Sequence, residues 1–468
     1  MQAFKSRPAT VADVHFFSRR TDGVSLQIQE NSRVLSEQGW TVIECSADAS
    51  GKNSFCISEL DYTTPQVQAF KGNGELGPQE LRSIEEAFEA QVQAIRDGLR
   101  ELIRHYQPLI IHVRNILSLP IHPAATVALA LCIVEHPAVH FLAQHHDFSF
   151  EEDLLPADRK KTYKIPYPLI QQRVEQALLF QAPNVHNIVI NSLMQQRLLR
   201  DYGIRAAVLP DAFDFKMRPV VIQDLRERLG LGPNDIVIGM MTRILPRKAI
   251  EVALQFAATL QQHKREFLGA GRGVHGRTIT GETRFSILLP QAAGLDEPPN
   301  AHYFNKLRIY AQKLGVTLHY IGERVVADSA YRGEPDKFPF YSLYSAVDIL
   351  TFPSYREGFG NQLLEAVALG KGVVVCHAYP VMEADILPLL APDGIISLGN
   401  NSDYALDATG FVHLKEDVLQ AAVEREIHFL LHPDEEQHAA QRTHRSLTMA
   451  FDASVVGSRL AELLVRFS

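Results

Sequence analysis

The sequence is poor in cysteine and tryptophan and has no long apolar run. Four of its 468 residues are cysteines and one is tryptophan. No Cys-x-x-Cys spacing occurs, so Cys45, Cys56, Cys132 and Cys376 predict buried thiols in a reducing compartment rather than disulfides or a zinc site. No apolar run reaches the ~18 residues that a membrane-spanning helix needs. The longest, residues 123–134, meets Glu135-His136-Pro137 and predicts a buried helix.

An excess of positive charge is also lacking. The formal net charge is −8, which argues against general nucleic-acid binding, since that needs a basic surface. The first residues lack the apolar segment of a secretory signal peptide. We therefore expect a cytoplasmic protein with no nucleic-acid partner and no integral membrane segment.

Short apolar runs alternate with helical stretches along the whole chain. This alternation predicts βα repeats around parallel sheets, which is the α/β class. A length of 468 residues predicts at least two domains. The first repeat runs from a strand at 11–17 through a helix at 24–38, ended by Gly39, to a strand at 40–45. The segment 265–282 has no clear periodicity and predicts an insertion or a mobile loop.

The most informative segment is Glu357-Gly358-Phe359-Gly360-Asn361, which follows an apolar strand and Pro353-Ser354. The order strand, glycine-containing loop, helix points backbone N–H groups into one small volume. Glycine lets a ligand approach that backbone closely. A second acid, Glu365, stands eight positions after Glu357, and carboxylates accept hydrogen bonds from sugar hydroxyls.

This acid, Gly-Phe-Gly, acid pattern behind Pro-Ser resembles the donor-site signature of the family 4 retaining glycosyltransferases. The resemblance implies the GT-B fold, in which two Rossmann-like domains with parallel sheets face each other across a cleft. Residues 1–217 would form the acceptor-side domain and residues 218–449 the nucleotide-sugar domain. A terminal helix, 450–468, would cross back onto the first domain.

The resemblance also implies roles in the second domain. Arg243 and Lys248, spaced Arg-x4-Lys after the domain's first strand, would bind the donor diphosphate at a wet cleft, with Arg247 as a bystander. Solvated surface cations are the alternative. Glu365 would hold the ribose, or simply complement its helix dipole. Glu357 would face the donor sugar, and the backbone of Gly358, Phe359, Gly360 and Asn361 would contact sugar and phosphate.

In the first domain, the family carries a histidine at a strand end that contacts the donor sugar. His146 fits this place, and the adjacent His145 competes with it. Gly23 lies on the first loop, where Asp22-Gly23 replaces the usual Gly-Gly. Asp211-Ala212 likewise replaces Asn-Gly at the end of the domain. Possible acceptor contacts are Arg19, Asp22, Asn115 and Asp147. Two basic clusters, one at Arg96, Arg100 and Arg104 and one at residues 159–164, are either solvated faces or contacts to anionic lipid.

The expected activity is transfer of a hexose from a GDP- or UDP-hexose to a hydroxyl of a small soluble acceptor, with an α-glycosidic product. The acceptor would be a sugar glycoside of the compatible-solute (glucosylglycerate-like) kind or a sugar phosphate, and neither a cofactor nor a metal would be required. The alternatives are a cell-surface polysaccharide or lipid-linked acceptor, and a non-catalytic sugar-binding protein on the same fold.

Overall fold

The computed structural model describes residues 9–18, 23–72, 76–148, 165–269, 278–291, 295, 298–370 and 372–467. It divides into two units, Met1–Asp211 with Ala453–Ser468, and Ala212–Asp452. The division falls earlier than the expected boundary after residue 217. Phe213 already belongs to the second unit. Its backbone N–H donates to the carbonyl of Phe451 at 3.1 Å, and it forms a β-bridge with Asp452.

The first unit is built on a parallel sheet with the order β3-β2-β1-β4-β5-β6-β7 in the part of the chain that the structure describes. Its strands are β1 (Thr10–Val14), β2 (Thr41–Ser46), β3 (Ser54–Cys56), β4 (Ile110–Arg114), β5 (His140–His145), β6 (Val185–Val189) and β7 (Ala206–Val208). The connecting helices are α1 (Gly23–Glu37), α2 (Pro65–Ala69), α3 (Pro78–Tyr106), α4 (Pro123–Glu135), α5 (Pro168–Ala177) and α6 (Ser192–Tyr202).

Local sequence explains where these helices begin and end. The Asn191 side chain caps α6 by accepting from the N–H of Met194 at 2.8 Å, and Gly203 ends it with φ 67°. Gly39, with φ 88°, follows α1 as predicted. The apolar run at 123–134 is the buried helix α4, which confirms that prediction. None of the described helices combines the length and apolarity needed to cross a bilayer.

The second unit repeats the same topology. Its described sheet has the order β10-β9-β8-β13-β14-β15, again parallel. The strands of this unit are β8 (Ile236–Gly239), β9 (Phe285–Leu289), β10 (Thr317–Tyr320), β11 (Val325–Val326), β12 (Phe338–Pro339), β13 (Ile349–Phe352), β14 (Val374–Ala378), β15 (Ile395–Asn400), β16 (Tyr404–Leu406) and β17 (Val412–Leu414). The helices are α7 (Leu225–Arg228), α8 (Ile250–Gln262), α9 (Pro298–Leu314), α10 (Asn361–Leu369), α11 (Glu416–Leu431) and α12 (Pro433–Phe451).

The last helix, α13 (Ala453–Phe467), belongs to the first unit. It packs against α1, where Gly457 leaves just enough room for the side chain of Val34. The predicted α/β class, with two Rossmann-like parallel sheets, is thus confirmed. The strand order reverses direction between β1 and β4 in one unit and between β8 and β13 in the other. Ligands of doubly wound sheets bind at such points, beyond the carboxyl ends of the strands.

One sequence-based expectation needs correction. Cys45, Cys132 and Cys376 are buried, but Cys56 is exposed, because it lies on the short edge strand β3.

The basic stripe on α3 has part of its charge paired with a carboxylate. Arg100 donates to both carboxylate oxygens of Glu135, at 2.9 and 3.0 Å, and Arg96 pairs with the same carboxylate.

Two other expectations are only partly within reach of the structure. In the aperiodic segment 265–282, residues 264–267 form a 3-10 turn, and residues 270–277 lie outside the described residues. The second basic cluster, at residues 159–164, lies wholly outside them.

Candidate active site

The loops after β8 and β13 meet at the point where the second sheet changes direction, and one carboxylate joins them. Glu357 accepts from Lys248 Nζ through Oε1 and from Arg247 through Oε2, both at 2.6 Å. Arg247 also donates to the carbonyl of Arg356 at 2.8 Å. The side chains of Lys248 and Glu357 are each 8% exposed. The two loops are therefore held together by a largely buried, hydrogen-bonded group of charges.

Charge and burial act in opposite directions on this group. Burial works to raise the pKa of Glu357, but Arg247 and Lys248 overcome it and hold that pKa at about 2. Burial lowers the pKa of Lys248 to about 8, helped by the neighbouring Arg247 and Arg243 and opposed by Glu357. The charges outweigh burial at Glu357, which has two cationic partners, but not at Lys248, which shares one anion with other cations. Near neutral pH, Arg247, Lys248 and Glu357 together carry one net positive charge.

This geometry corrects two expectations about the loop. Lys248 is not at a wet surface, because its ammonium group lies against Glu357 and 5.7 Å from the centre of the Phe352 ring. Arg247 is not a bystander, because it shares Glu357 with Lys248. Arg243 is exposed and stands close enough to Lys248 to affect its pKa. The pair Arg243 and Lys248 is thus brought together, but only Arg243 has the expected exposure.

The glycine loop after β13 is shaped by a tyrosine from a neighbouring strand end. Tyr379 is fully buried and donates to the carbonyl of Phe359 at 2.5 Å. Gly360 has φ 117°, and a Cβ there would overlap the Tyr379 hydroxyl. The side chain of Phe359 is buried against Phe451, so this residue offers a ligand its backbone only. The loop then enters α10 at Asn361, whose side-chain Oδ1 has no hydrogen-bond partner among the described residues.

Glu365 lies one turn into α10. Tyr344 donates to its Oε2 at 3.0 Å. Burial raises the pKa of Glu365 to about 7, although the hydrogen bond from Tyr344 and the charge of Lys248 oppose the rise. Glu365 is therefore in the same electrostatic neighbourhood as Lys248. Tyr341 contributes a second hydrogen bond to this carboxyl, and each carboxylate oxygen can accept more than one hydrogen bond.

In the first unit, His146 follows the last residue of β5. Its backbone N–H donates to the side-chain oxygen of Asn115 at 2.7 Å, and Asn115 has φ 59° at the end of β4. Its ring is buried, with Nδ1 3.3 Å from Asp211 Oδ1. The oxygen of Asn115, expected to bind an acceptor, is thus already engaged by the chain that carries His146.

The other first-unit candidates differ in placement. His145 ends β5 with its ring buried, Nε2 3.1 Å from Asn187 Oδ1, and burial lowers its pKa to about 4. Asp147 is exposed. Gly23 is the first residue of α1, whereas Arg19 and Asp22 lie outside the described residues. Within the described ranges, no three His, Cys, Asp or Glu side chains are arranged to hold a metal ion.

Comparison with known proteins gives a consistent result. The family described as Glycosyl transferases group 1 matches residues 315–391, which include the Glu357 loop and Glu365. A mannosylglucosylglycerate synthase of Thermotoga maritima is 30% identical over 431 residues, which are 90% of this chain and 92% of the relative. The chain belongs to the family 4 glycosyltransferases.

Two further likenesses agree with this assignment. A mannosylglucosylglycerate synthase of Petrotoga mobilis is 28% identical over 418 residues, 87% of this chain and 92% of the relative. The solved sucrose-phosphate synthase from Thermosynechococcus elongatus superposes with a TM-score of 0.60 over 98% of this glycosyltransferase and 99% of its own chain. At 14% identity this structural likeness concerns the fold, which is GT-B.

Three residues of this glycosyltransferase were not selected from sequence. Tyr344 and Tyr379 reach the site through sheet order, and nothing local distinguishes them from core tyrosines. Asp211 was noticed only as a change in a turn. A signal was available there, since a carboxylate had replaced an amide at the end of the first domain.

Removal of Lys248 should destabilise the protein, whereas removal of Arg243 should not. Lys248→Ala leaves a buried carboxylate with one cationic partner, which should cost about 1.5–3 kcal/mol. Arg243→Ala changes an exposed side chain and should stay within about 0.5 kcal/mol of the native protein. Urea unfolding of the two variants in parallel measures this. Equal losses for both would contradict the burial of Lys248.

The raised pKa of Glu365 predicts a pH-dependent effect of Glu365→Gln. A carboxyl whose folded pKa exceeds its unfolded value binds more protons when folded, so its contribution to stability falls as pH rises from about 4.5 to about 7. Glutamine keeps an acceptor for Tyr344 and removes this dependence. As pH rises from 5 to 8, the melting temperature of Glu365→Gln should therefore increase relative to that of the native protein. A constant difference across that range would be inconsistent with the raised pKa.

Proposed function

We propose that this glycosyltransferase moves a hexose from a nucleoside diphosphate sugar to a hydroxyl of a small soluble acceptor, with retention and an α-glycosidic product. The observation that carries the proposal is the group Lys248, Arg243 and Glu357 at the direction change of the second sheet, beside the Gly358–Gly360 loop and Glu365. Such a place combines fixed cations, a glycine-rich backbone at a helix start and a carboxylate, which suit a diphosphate and a ribose.

The relatives support a narrower proposal for the substrates. Mannosylglucosylglycerate synthases match over most of this chain. We therefore propose that a mannosyl group is transferred to a glucosylglycerate-like acceptor. A GDP- or UDP-hexose is the donor, and no metal cofactor is required, because Arg243 and Lys248 supply positive charge.

Each donor-side residue has a distinct proposed role. Arg243, which is exposed, grips phosphate oxygens, and Lys248 supplies a fixed charge behind it. This charge stabilises the diphosphate as the bond from sugar C1 to the phosphate oxygen breaks. Glu365 holds the ribose hydroxyls with Tyr344 bonded to its other side. The backbone from Gly358 to Asn361 contacts sugar and phosphate.

Glu357 is better suited to positioning than to covalent catalysis. Two cations engage its two oxygens, and its pKa of about 2 makes it a weak nucleophile. In a front-face reaction the acceptor oxygen bonds to C1 on the side from which the diphosphate leaves. The proton of the acceptor hydroxyl passes to the departing phosphate oxygen, so the chain needs no nucleophile of its own. In the first unit, His146 is the proposed contact to the donor sugar and Gly23 a proposed donor-binding residue. The acceptor-side candidates there are Arg19, Asp22, Asn115 and Asp147.

The donor and the product can be identified directly. Thermal-shift assays with GDP-, UDP- and ADP-hexoses should single out one nucleotide, since a ligand at a hundred times its Kd stabilises by about 2.7 kcal/mol. Incubation of that donor with glucosylglycerate should give a product whose anomeric NMR signal is α, with and without EDTA. A β-linked product would contradict retention. If none of the donors raised the melting temperature of the protein, nucleotide-sugar binding would be contradicted.

The exposure of Arg243 makes it the sharper test of diphosphate binding. Arg243→Ala should lower turnover by about a hundredfold, as loss of one electrostatic stabiliser does in other enzymes, while the melting temperature stays unchanged. Arg308→Ala, at an exposed arginine of α9, is the matched control and should keep full turnover. Steady-state kinetics with the identified donor measure the turnover of both variants. Near-normal turnover of Arg243→Ala would remove this loop from the proposed site.

A further inference from the structure

The ring of His146 is buried next to a carboxylate that lies far away in sequence. Its Nδ1 is 3.3 Å from Oδ1 of Asp211, and the two side chains are 5% and 9% exposed. The two atoms are within contact distance without forming a hydrogen bond, because Asp211 Oδ1 has no hydrogen-bond partner among the described residues. The Nε2 of His146 is also buried without such a partner there. A carboxylate oxygen withdrawn from water is stable beside an imidazole nitrogen only if that nitrogen carries the proton.

The two histidines described next to His146 carry no positive charge that could stabilise the Asp211 carboxylate in its place. His112 and His145 are its imidazole neighbours, and burial lowers their pKa values to about 3 and about 4, so both are neutral at neutral pH. Asp147, the next residue in sequence, is exposed. Asn115 is engaged with the backbone of His146 rather than with its ring.

We propose that Asp211 is a positioning residue, which holds the proton of His146 on Nδ1 and so leaves Nε2 as a hydrogen-bond acceptor for a hydroxyl of the donor sugar. The inference rests on the proposed role of His146. Asn115 fixes the backbone of His146, and Asp211 fixes its ring. A carboxylate that accepts from one imidazole nitrogen sets the tautomer and orientation of the other.

An aspartate at position 211 specifies the form of the His146 ring more strictly than an asparagine would. An asparagine can accept from Nδ1–H through its amide oxygen, but it can also present its NH₂ group after a flip. An ionised aspartate accepts hydrogen bonds and cannot donate them, so it specifies the Nδ1–H form without ambiguity.

The test reads the ring itself, independently of activity. In the full chain labelled with ¹⁵N-histidine, His146 is assigned by the signals lost in His146→Gln. The native protein should show a protonated Nδ1 and an unprotonated Nε2. Asp211→Ala should shift His146 toward the Nε2–H form, and Asp211→Asn should largely keep the native pattern. Asp147→Ala, at the exposed neighbour, is the matched control and should leave the pattern unchanged.

Turnover and nucleotide affinity add a second readout. Asp211→Ala should lower turnover by roughly tenfold or more, since a misplaced reactive group is costly, while calorimetry gives an unchanged Kd for the free nucleoside diphosphate. Asp211→Asn should recover most of the turnover. An unaltered ring signature in Asp211→Ala, or a change in Asp147→Ala instead, would overturn the pairing. If Asp211→Ala does not fold, an unprotonated Nδ1 on His146 in the native protein would overturn it.

The two proposals fail in different ways. Should His146→Gln transfer sugar normally, the role of His146 in the proposed function fails. The ring signature of the Asp211 variants still decides whether Asp211 holds the proton of His146.

Discussion

The carboxylate of Glu357, shared by Arg247 and Lys248, is the interaction on which the second unit's site depends. It joins two loops that are far apart in sequence, since Glu357 lies 109 positions after Lys248 and 110 after Arg247. They meet because β8 and β13 are neighbours in a sheet whose order reverses between them. Two strong hydrogen bonds to one largely buried carboxylate fix the loops more firmly than the glycine-rich backbone could by itself. The start of α10, the Gly358–Gly360 loop and the position of Lys248 all follow from that junction.

The two units share a topology but differ in how charge is placed where their sheets reverse. In the first unit, Arg114 makes two hydrogen bonds to Asp13, at 2.8 and 2.7 Å, and both side chains are almost fully buried. Burial works to raise the pKa of Asp13, but Arg114 keeps it below its usual value. That pair is neutral overall. In the second unit the corresponding group keeps a net positive charge beside an exposed Arg243. The described charges where the sheet reverses are therefore balanced at Asp13 and Arg114 but net positive in the second unit, which supports our proposal that the second unit binds the diphosphate.

Two aromatic hydroxyls from neighbouring elements complete the candidate site of the second unit. Tyr379 bonds the carbonyl of Phe359 and occupies the space that a side chain at position 360 would need. Tyr344 bonds Glu365 and helps to orient it. Both hydroxyls are held in the core, so they add rigidity without adding charge. A preorganised, rigid set of donors and acceptors is what stabilises developing charge in a reaction.

The sequence by itself determined the α/β class, the two parallel-sheet units and the loops that carry the candidate residues, because these depend on local periodicity, glycine and capping. It also indicated the family, through the spacing of Glu357, Gly358, Gly360 and Glu365. Only the tertiary structure decided which charges meet. Lys248 was expected at a wet surface but is buried. Arg247 was expected to be a bystander but binds Glu357. Asp211 was noticed only as a turn residue but contacts His146. Such contacts depend on strand order and burial, and neither is encoded in the spacing of residues along the chain.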